Sequence, residues 1–358
     1  MTTSADERAA LQDAVRDLMT KECAEPDVRR VMASAEDFDP ALWARLAELG
    51  VPGLLVDPAY GGAGLGAAEL EAVMEVTGAA LLPSPLISSG VLAAGLVAAA
   101  DAETRGHLLP RIADGSAVAT AALTGPAGTW SPEGVAVEAA ADGTLTGTAA
   151  YVTHGASATL LLVVARTPDG FGVYEVAPDA PGLTRTAESV FDPTVPLARL
   201  TFAGAPARRL AGLGWPEVAH ALDLALVALA GEQVGGARRI FEITVDYLKT
   251  RIQFGRPIGG FQALKHYAAD LLLEVESATS AARHAAEHAT DPAAVALAAF
   301  TCADAYHTTA LYAIQMHGGI GFTWEYPAHL FLRRARTGRL LFGDPARHRE
   351  RYLTAKGA

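Results

Sequence analysis

The sequence predicts an α+β multidomain chain: an N-terminal helical domain (residues 1–113), a middle antiparallel β domain (114–208) and a C-terminal antiparallel helical bundle (209–358). Three observations carry this. Apolar residues recur at helical spacing in the first third, short Val/Leu/Thr-rich runs alternate with turn signals in the middle, and long Ala/Leu-rich runs fill the remainder.

In the first region Leu11, Val15 and Leu18 share one helical face, as do Leu42, Leu46 and Leu49. A Gly-rich break, Tyr60-Gly61-Gly62-Ala63-Gly64, precedes a helix over Ala67–Val76, and further helices reach Ile112. The middle region offers strands at Ala117–Leu123, Gly134–Ala139, Thr144–Thr153, Ala158–Arg166, Gly172–Val176 and Ala198–Phe202. Ala141-Asp142-Gly143, Pro168-Asp169-Gly170 and Pro181-Gly182 mark turns between them, the spacing of a small barrel or sandwich. After Gly214-Trp215-Pro216, helices are expected over Ala219–Thr250, Gln262–Glu287 and Pro292–Met316. Their length and short connections fit antiparallel packing.

Composition excludes several classes. The chain has 358 residues, of which 51% are apolar and 19% charged, so it can bury sizeable cores. Its formal charge of -12 argues against a nucleic-acid partner, which needs a basic surface. Cys23 and Cys302 are far apart, without disulfide-framework or metal-like spacing, and imply a reducing compartment. The N-terminus lacks a signal-peptide core, and the tract Gly90–Ala100 falls short of the ~20 residues that span a bilayer. A cytoplasmic protein without membrane insertion is expected.

Chemistry concentrates in a few stretches. Arg251–Gln262, RIQFGRPIGGFQ, puts two arginines, a Phe-Gly pair and an amide between two helices. An Arg at a helix end grips a pyrophosphate with planar, bidentate donors. Gln315–Phe322, QMHGGIGF, follows another helix, and its glycines let backbone N–H groups approach a phosphate. His284 and His288 lie at i,i+4 spacing without an evident third ligand, so no metal site is expected. The basic segments around Arg333 and Arg347–Arg351 read as solvated or partner-facing.

The α–β–α order and these two stretches, with Leu145–Gly155 and Glu48–Gly66, resemble the acyl-CoA dehydrogenase family of flavoproteins over essentially the whole chain. The resemblance implies that the C-terminal domain is a four-helix bundle and that the cofactor is FAD. It implies that Arg251 and Phe254 reach across a subunit interface to a neighbour's FAD, and that Gln262, Gln315, Gly318 and Gly319 belong to the same contact set. It also assigns Thr153 to the flavin N5 and Tyr151 to the ring, two side chains that a regular strand would place on one face. Thr124 and Gly128 persist from the family's preceding loop. The acidic residue expected after Thr124 is absent, and the loop ends in Thr129-Trp130.

Dehydrogenation of a thioester needs a carboxylate base for the α-proton. The family positions for it fall at Phe342 and Ala225, and neither can accept a proton. Asp344, two residues beyond Phe342, is the weak substitute; its local reading is the N-cap of the last helix. Glu232 lies two helical turns past Ala225. The sequence therefore resembles the base-lacking subunit of α2β2 acyl-CoA dehydrogenases of sterol side-chain degradation. That implies a related partner carrying the catalytic Glu, with an acyl-CoA substrate, possibly a steroid thioester. The alternatives are a self-sufficient homo-oligomer using Asp344 or another base, and a non-redox binding or scaffold protein on the same fold.

Overall fold

The computed structural model describes residues 5–357. In chain order the helices α1 (Ala5–Glu22), α2 (Glu25–Met32), α3 (Pro40–Glu48), α4 (Ala67–Ala79), α5 (Ala94–Ala98) and α6 (Ala102–Ala113) come first. A π-helical segment, Leu86–Ala93, runs directly into α5. The strands follow: β1 (Ala119–Ala122), β2 (Val137–Ala139), β3 (Thr144–Thr153), β4 (Leu160–Thr167), β5 (Gly170–Val176), β6 (Leu183–Ala187), β7 (Leu197–Pro206) and β8 (Arg208–Leu210). Then come α7 (Trp215–Thr250), a hairpin of β9 (Ile252–Gln253) and β10 (Arg256–Pro257), α8 (Gln262–Glu287), α9 (Pro292–His317), α10 (Ala328–Gly338) and α11 (Pro345–Ala355).

The chain forms two compact units. The first comprises residues 29–66 and 83–225; the second comprises 5–28, 67–82 and 226–357. Helices α1 and α4 thus belong with the C-terminal helices, although sequence order places them with the first domain.

The first unit is built on a sheet in the order β6-β7-β3-β2-β4-β5-β8, with β1 on β4. Most pairings are antiparallel, but β1 and β2 each meet β4 in parallel, so the sheet is mixed rather than wholly antiparallel. Between Ala149 and Val152 the register against β7 slips by one residue, which is a β-bulge, and Tyr151 takes φ +55°. Leu145, Leu161, Leu200 and Phe202 form the core under the sheet. The π-helical segment is tied to it by Ser89, whose Oγ accepts from the Ala119 N–H at 3.0 Å.

The second unit is helical. Helices α4 and α7 touch backbone to backbone: a Cβ on Gly235 would lie 1.8 Å from the Glu75 carbonyl oxygen, and one on Gly78 2.1 Å from that of Glu232. Only glycine permits this approach. Leu248, Leu271 and Met316 form a smaller core at the far ends of α7 and α9. Among the described residues one helix, α7, is long and apolar enough to cross a membrane, and 78% of its apolar window is buried inside the protein, as in a core helix.

Candidate functional site

The hairpin after α7 is the most exposed motif. The Arg251 N–H still donates to the Tyr247 carbonyl (2.9 Å), and the Ile258 N–H donates to the Arg251 carbonyl (2.9 Å), which closes the hairpin base. Its two turn residues, Phe254 and Gly255, have φ +51° and +75°. A two-residue hairpin favours left-handed positions, but only glycine takes them without cost. Phe254 is held in strained backbone with its ring 90% exposed. Phe261 braces the loop, with the Phe254 ring edge-on at 6.0 Å and the Arg256 guanidinium over its face at 4.3 Å. Arg256 is thereby engaged. Arg251 is exposed and forms no ion pair among the described residues. Gln262 opens α8, also exposed.

The second element is the end of α9. Gln315 is exposed, Gly318 has φ +64°, and an added Cβ on Gly318 or Gly319 would meet no atom within 4 Å. This open glycine pair leaves its backbone accessible, as a phosphate-binding turn requires. His317 lies just before it and is buried. Its Nδ1 donates to the Ala313 carbonyl at 2.7 Å, and its ring stacks on Tyr247 with centroids 4.4 Å apart. The Tyr326 ring sits 4.6 Å away on the same imidazole. Burial holds the His317 pKa below its usual value, opposed in part by the Ala313 carbonyl. The stack joins the last turn of α7, where the Tyr247 carbonyl accepts from the Arg251 N–H, to the residue that precedes Gly318.

In the first unit the predicted contacts turn inward. The Thr124 Oγ1 donates to the Thr129 carbonyl (2.7 Å), and the Tyr151 hydroxyl donates to the Pro126 carbonyl (3.2 Å). A Cβ on Gly128 would lie 3.3 Å from the Tyr151 ring. Loop 124–130 and Tyr151 thus engage one another. The bulge also changes the expected facing: Tyr151 is 41% exposed while Thr153 is 6% exposed, so the two do not share a surface as a regular strand would dictate. The Thr153 carbonyl accepts from the Thr120 hydroxyl at 2.6 Å.

At the two positions where the sequence led us to expect the base, Ala225 is 0% and Phe342 is 3% exposed. Phe342 has φ +63° and Gly343 φ +119°, a tight turn with an apolar side chain in it. Asp344 is the N-cap of α11, accepting from the Arg347 N–H at 2.8 Å. Glu232 is paired with the buried Arg334 at 3.1 Å. His348 packs against Gly343, and burial, reinforced by Arg351, depresses its pKa to about 4. The His284 and His288 rings lie 4.4 Å apart, and among the described residues no group of three or more His, Cys, Asp or Glu could hold a metal ion.

Sequence reasoning missed the His317 stack, because Tyr247 and His317 are 70 positions apart. It also missed the strain at Phe254 and the closure of Tyr151 over its own loop. The Phe254-Gly255 pair, followed by Pro257 and Gly259-Gly260, was the available turn signal for the hairpin.

Family models for the acyl-CoA dehydrogenase N-terminal domain and C-terminal domain match residues 5–116 and 212–355. Acyl-CoA dehydrogenase IpdE2 of Mycobacterium tuberculosis is 34% identical over 96% of this chain and 95% of its own length. A variant of the Tcur3481-Tcur3483 steroid ACAD superposes with a TM-score of 0.90 at 34% identity, covering 99% of each chain. The ChsE4-ChsE5 complex from Mycobacterium tuberculosis gives 0.91 at 29% identity, with 99% of this chain and 98% of that chain covered. Matched at both ends and related along its length, the chain belongs to the acyl-CoA dehydrogenase family, whose members are oxidoreductases acting on acyl-CoA, and is close to subunits of heteromeric steroid acyl-CoA dehydrogenases.

Proposed function

We propose that this chain is the base-lacking subunit of a heteromeric FAD-dependent acyl-CoA dehydrogenase, assembled as α2β2 with a related chain that carries the catalytic Glu. The observation that carries the reading is the contrast at the two family sites. Both base positions are apolar and buried, at Phe342 and Ala225, whereas Phe254 is held in strained backbone and presented outward beside Arg251.

Residue fit supports FAD contact from the second unit. The Arg251 guanidinium has no competing carboxylate among the described residues, and the Gly318-Gly319 backbone is open. Arg251, Phe254, Gln262, Gln315, Gly318 and Gly319 would hold the pyrophosphate and adenosine side of a flavin bound mainly by the partner. Thr124 and Tyr151 fit less well, since both already hydrogen-bond to their own loop. Thr153 stays in the proposed contact set, buried at the end of β3. FAD, when bound there, would supply a hydride acceptor for the β-hydrogen. The partner's carboxylate takes the α-proton, and a C=C bond forms between the α- and β-carbons. Ile252, Tyr267, Leu273, Leu311, Phe322 and Trp324, which are among the large apolar residues that the second unit leaves exposed, are proposed as a surface for that partner.

The acyl group is proposed to derive from a steroid side chain, on the strength of the steroid ACAD likeness. A cytoplasmic site belongs to the same reading, since Cys23 and Cys302 are both buried thiols outside any disulfide. The visible absorption spectrum tests it. The chain purified alone should be colourless, and the complex co-expressed with a Glu-bearing relative should be yellow. A stable, yellow and active homo-oligomer would favour the self-sufficient reading. A complex that never takes up flavin would favour a scaffold.

A further inference from the structure

We propose that His317 is a positioning residue that locks the Arg251 helix end to the Gln315–Gly319 turn, so that the two halves of the FAD contact move as one body. This rests on the reading that those residues meet a partner's flavin.

The geometry is specific. The Tyr247 carbonyl accepts from the Arg251 N–H at 2.9 Å, so any displacement of Tyr247 carries the Arg251 backbone with it. The Tyr247 ring lies on His317 at 4.4 Å and 30°, and its hydroxyl donates to the His317 carbonyl at 3.4 Å. Tyr247 therefore touches the residue that precedes Gly318 through both its ring and its hydroxyl. The imidazole is in turn fixed to α9 by Nδ1–H donating to Ala313, one turn back. Tyr326 closes the stack, at 4.6 Å from His317 and 5.9 Å from Tyr247. Gly321 is equally constrained, because a Cβ there would lie 3.0 Å from the His317 Cβ.

A purely packing role would be met as well by a phenyl ring. His317 instead keeps its Nε2 buried with no hydrogen-bond partner among the described residues, an arrangement that costs stability. What the imidazole supplies in return is the Nδ1–H anchor, which fixes the ring plane that Tyr247 rests on. A contact set with an exposed arginine just past the end of α7 and a glycine turn at the end of α9 needs such a link. Misplacement of either half by about 1 Å is costly in a preorganised site.

The test is a double-mutant cycle on the co-expressed complex, stripped of flavin and titrated with FAD. His317→Ala should weaken FAD binding about tenfold, near 1.4 kcal/mol, with assembly by size exclusion unchanged and the flavin-free complex still melting in one cooperative transition. His317→Phe, which keeps the stack but lacks the Nδ1–H anchor, should recover less than half of that loss on a logarithmic scale. Arg251→Ala should weaken binding by itself, and adding His317→Ala should cause little further loss, because one acts through the other. If Arg251→Ala leaves FAD affinity intact, the underlying reading fails, whatever His317 does. If Arg251→Ala weakens binding but His317→Ala does not, or the two effects add in full, the positioning role is overturned. A His317→Ala chain that cannot assemble, together with a His317→Phe chain that binds FAD normally, assigns the residue to folding alone and overturns it as well.

Discussion

Arg334 and Glu232 form a buried ion pair, with 3.1 Å between Nη1 and the carboxylate and Arg334 only 2% exposed. The same guanidinium donates to the Leu81 and Leu82 carbonyls at 3.2 Å each. It therefore ties α10 to α7 and to the chain just beyond α4. Removing Glu232 takes away the carboxylate paired at 3.1 Å with this buried guanidinium. Glu232→Ala should cost about 3–5 kcal/mol in urea unfolding. The paired replacement Glu232→Met with Arg334→Met should cost much less than Glu232→Ala, which is the outcome that distinguishes a charge penalty from lost packing.

Glu71 is 4% exposed, with Oε1 lacking a hydrogen-bond partner among the described residues. Burial, and then the nearby Glu75 charge, push its pKa up to about 7. The folded pKa lies above the unfolded value of 4.5, so the folded state binds the extra proton between them. The stability from this group is complete below about pH 4.5 and is lost as pH rises through 7, by up to about 3 kcal/mol. Glu71→Gln should remove that slope and raise the melting temperature most at pH 8. A wild-type and variant difference that is flat from pH 5 to 8 would refute the assignment.

His348 acts with the opposite sign. Its folded pKa near 4 is below the unfolded 6.5, so the unfolded chain takes up the proton first. Its contribution is fully present above pH 6.5 and declines as pH falls toward 4. His348→Leu should lessen acid sensitivity in that window. NMR titration of the ring should show no midpoint above pH 5.

At the hairpin tip, Phe254→Gly replaces a strained left-handed aromatic by the residue best suited to φ +51°. Relief of strain and the added freedom of the unfolded chain oppose each other, so the stability of the isolated chain should change by less than about 1 kcal/mol. Flavin retained by the co-purified complex should drop several-fold. Equal flavin in both complexes would remove Phe254 from the contact set.

Asp344→Ala removes the cap on the Arg347 N–H and should cost about 1 kcal/mol. Turnover by the complex per bound flavin should stay the same. Loss of turnover with flavin retained would restore Asp344 as a base.

The sequence by itself determined the element order, the family and the apolar identity of Phe342 and Ala225, where a base was expected. These follow from local periodicity, turn residues and motifs whose members lie within about a dozen positions of one another. It also located the arginine and the two glycines that are proposed to meet FAD. Tertiary structure decided what those residues do. It grouped α1 and α4 with the C-terminal helices, bulged β3 so that Tyr151 and Thr153 part company, and turned Thr124 and Tyr151 onto their own loop. It set His317 on Tyr247 across 70 positions. Such relations depend on packing and on backbone strain imposed from outside each segment, and no local propensity encodes a contact with a residue that only folding brings near.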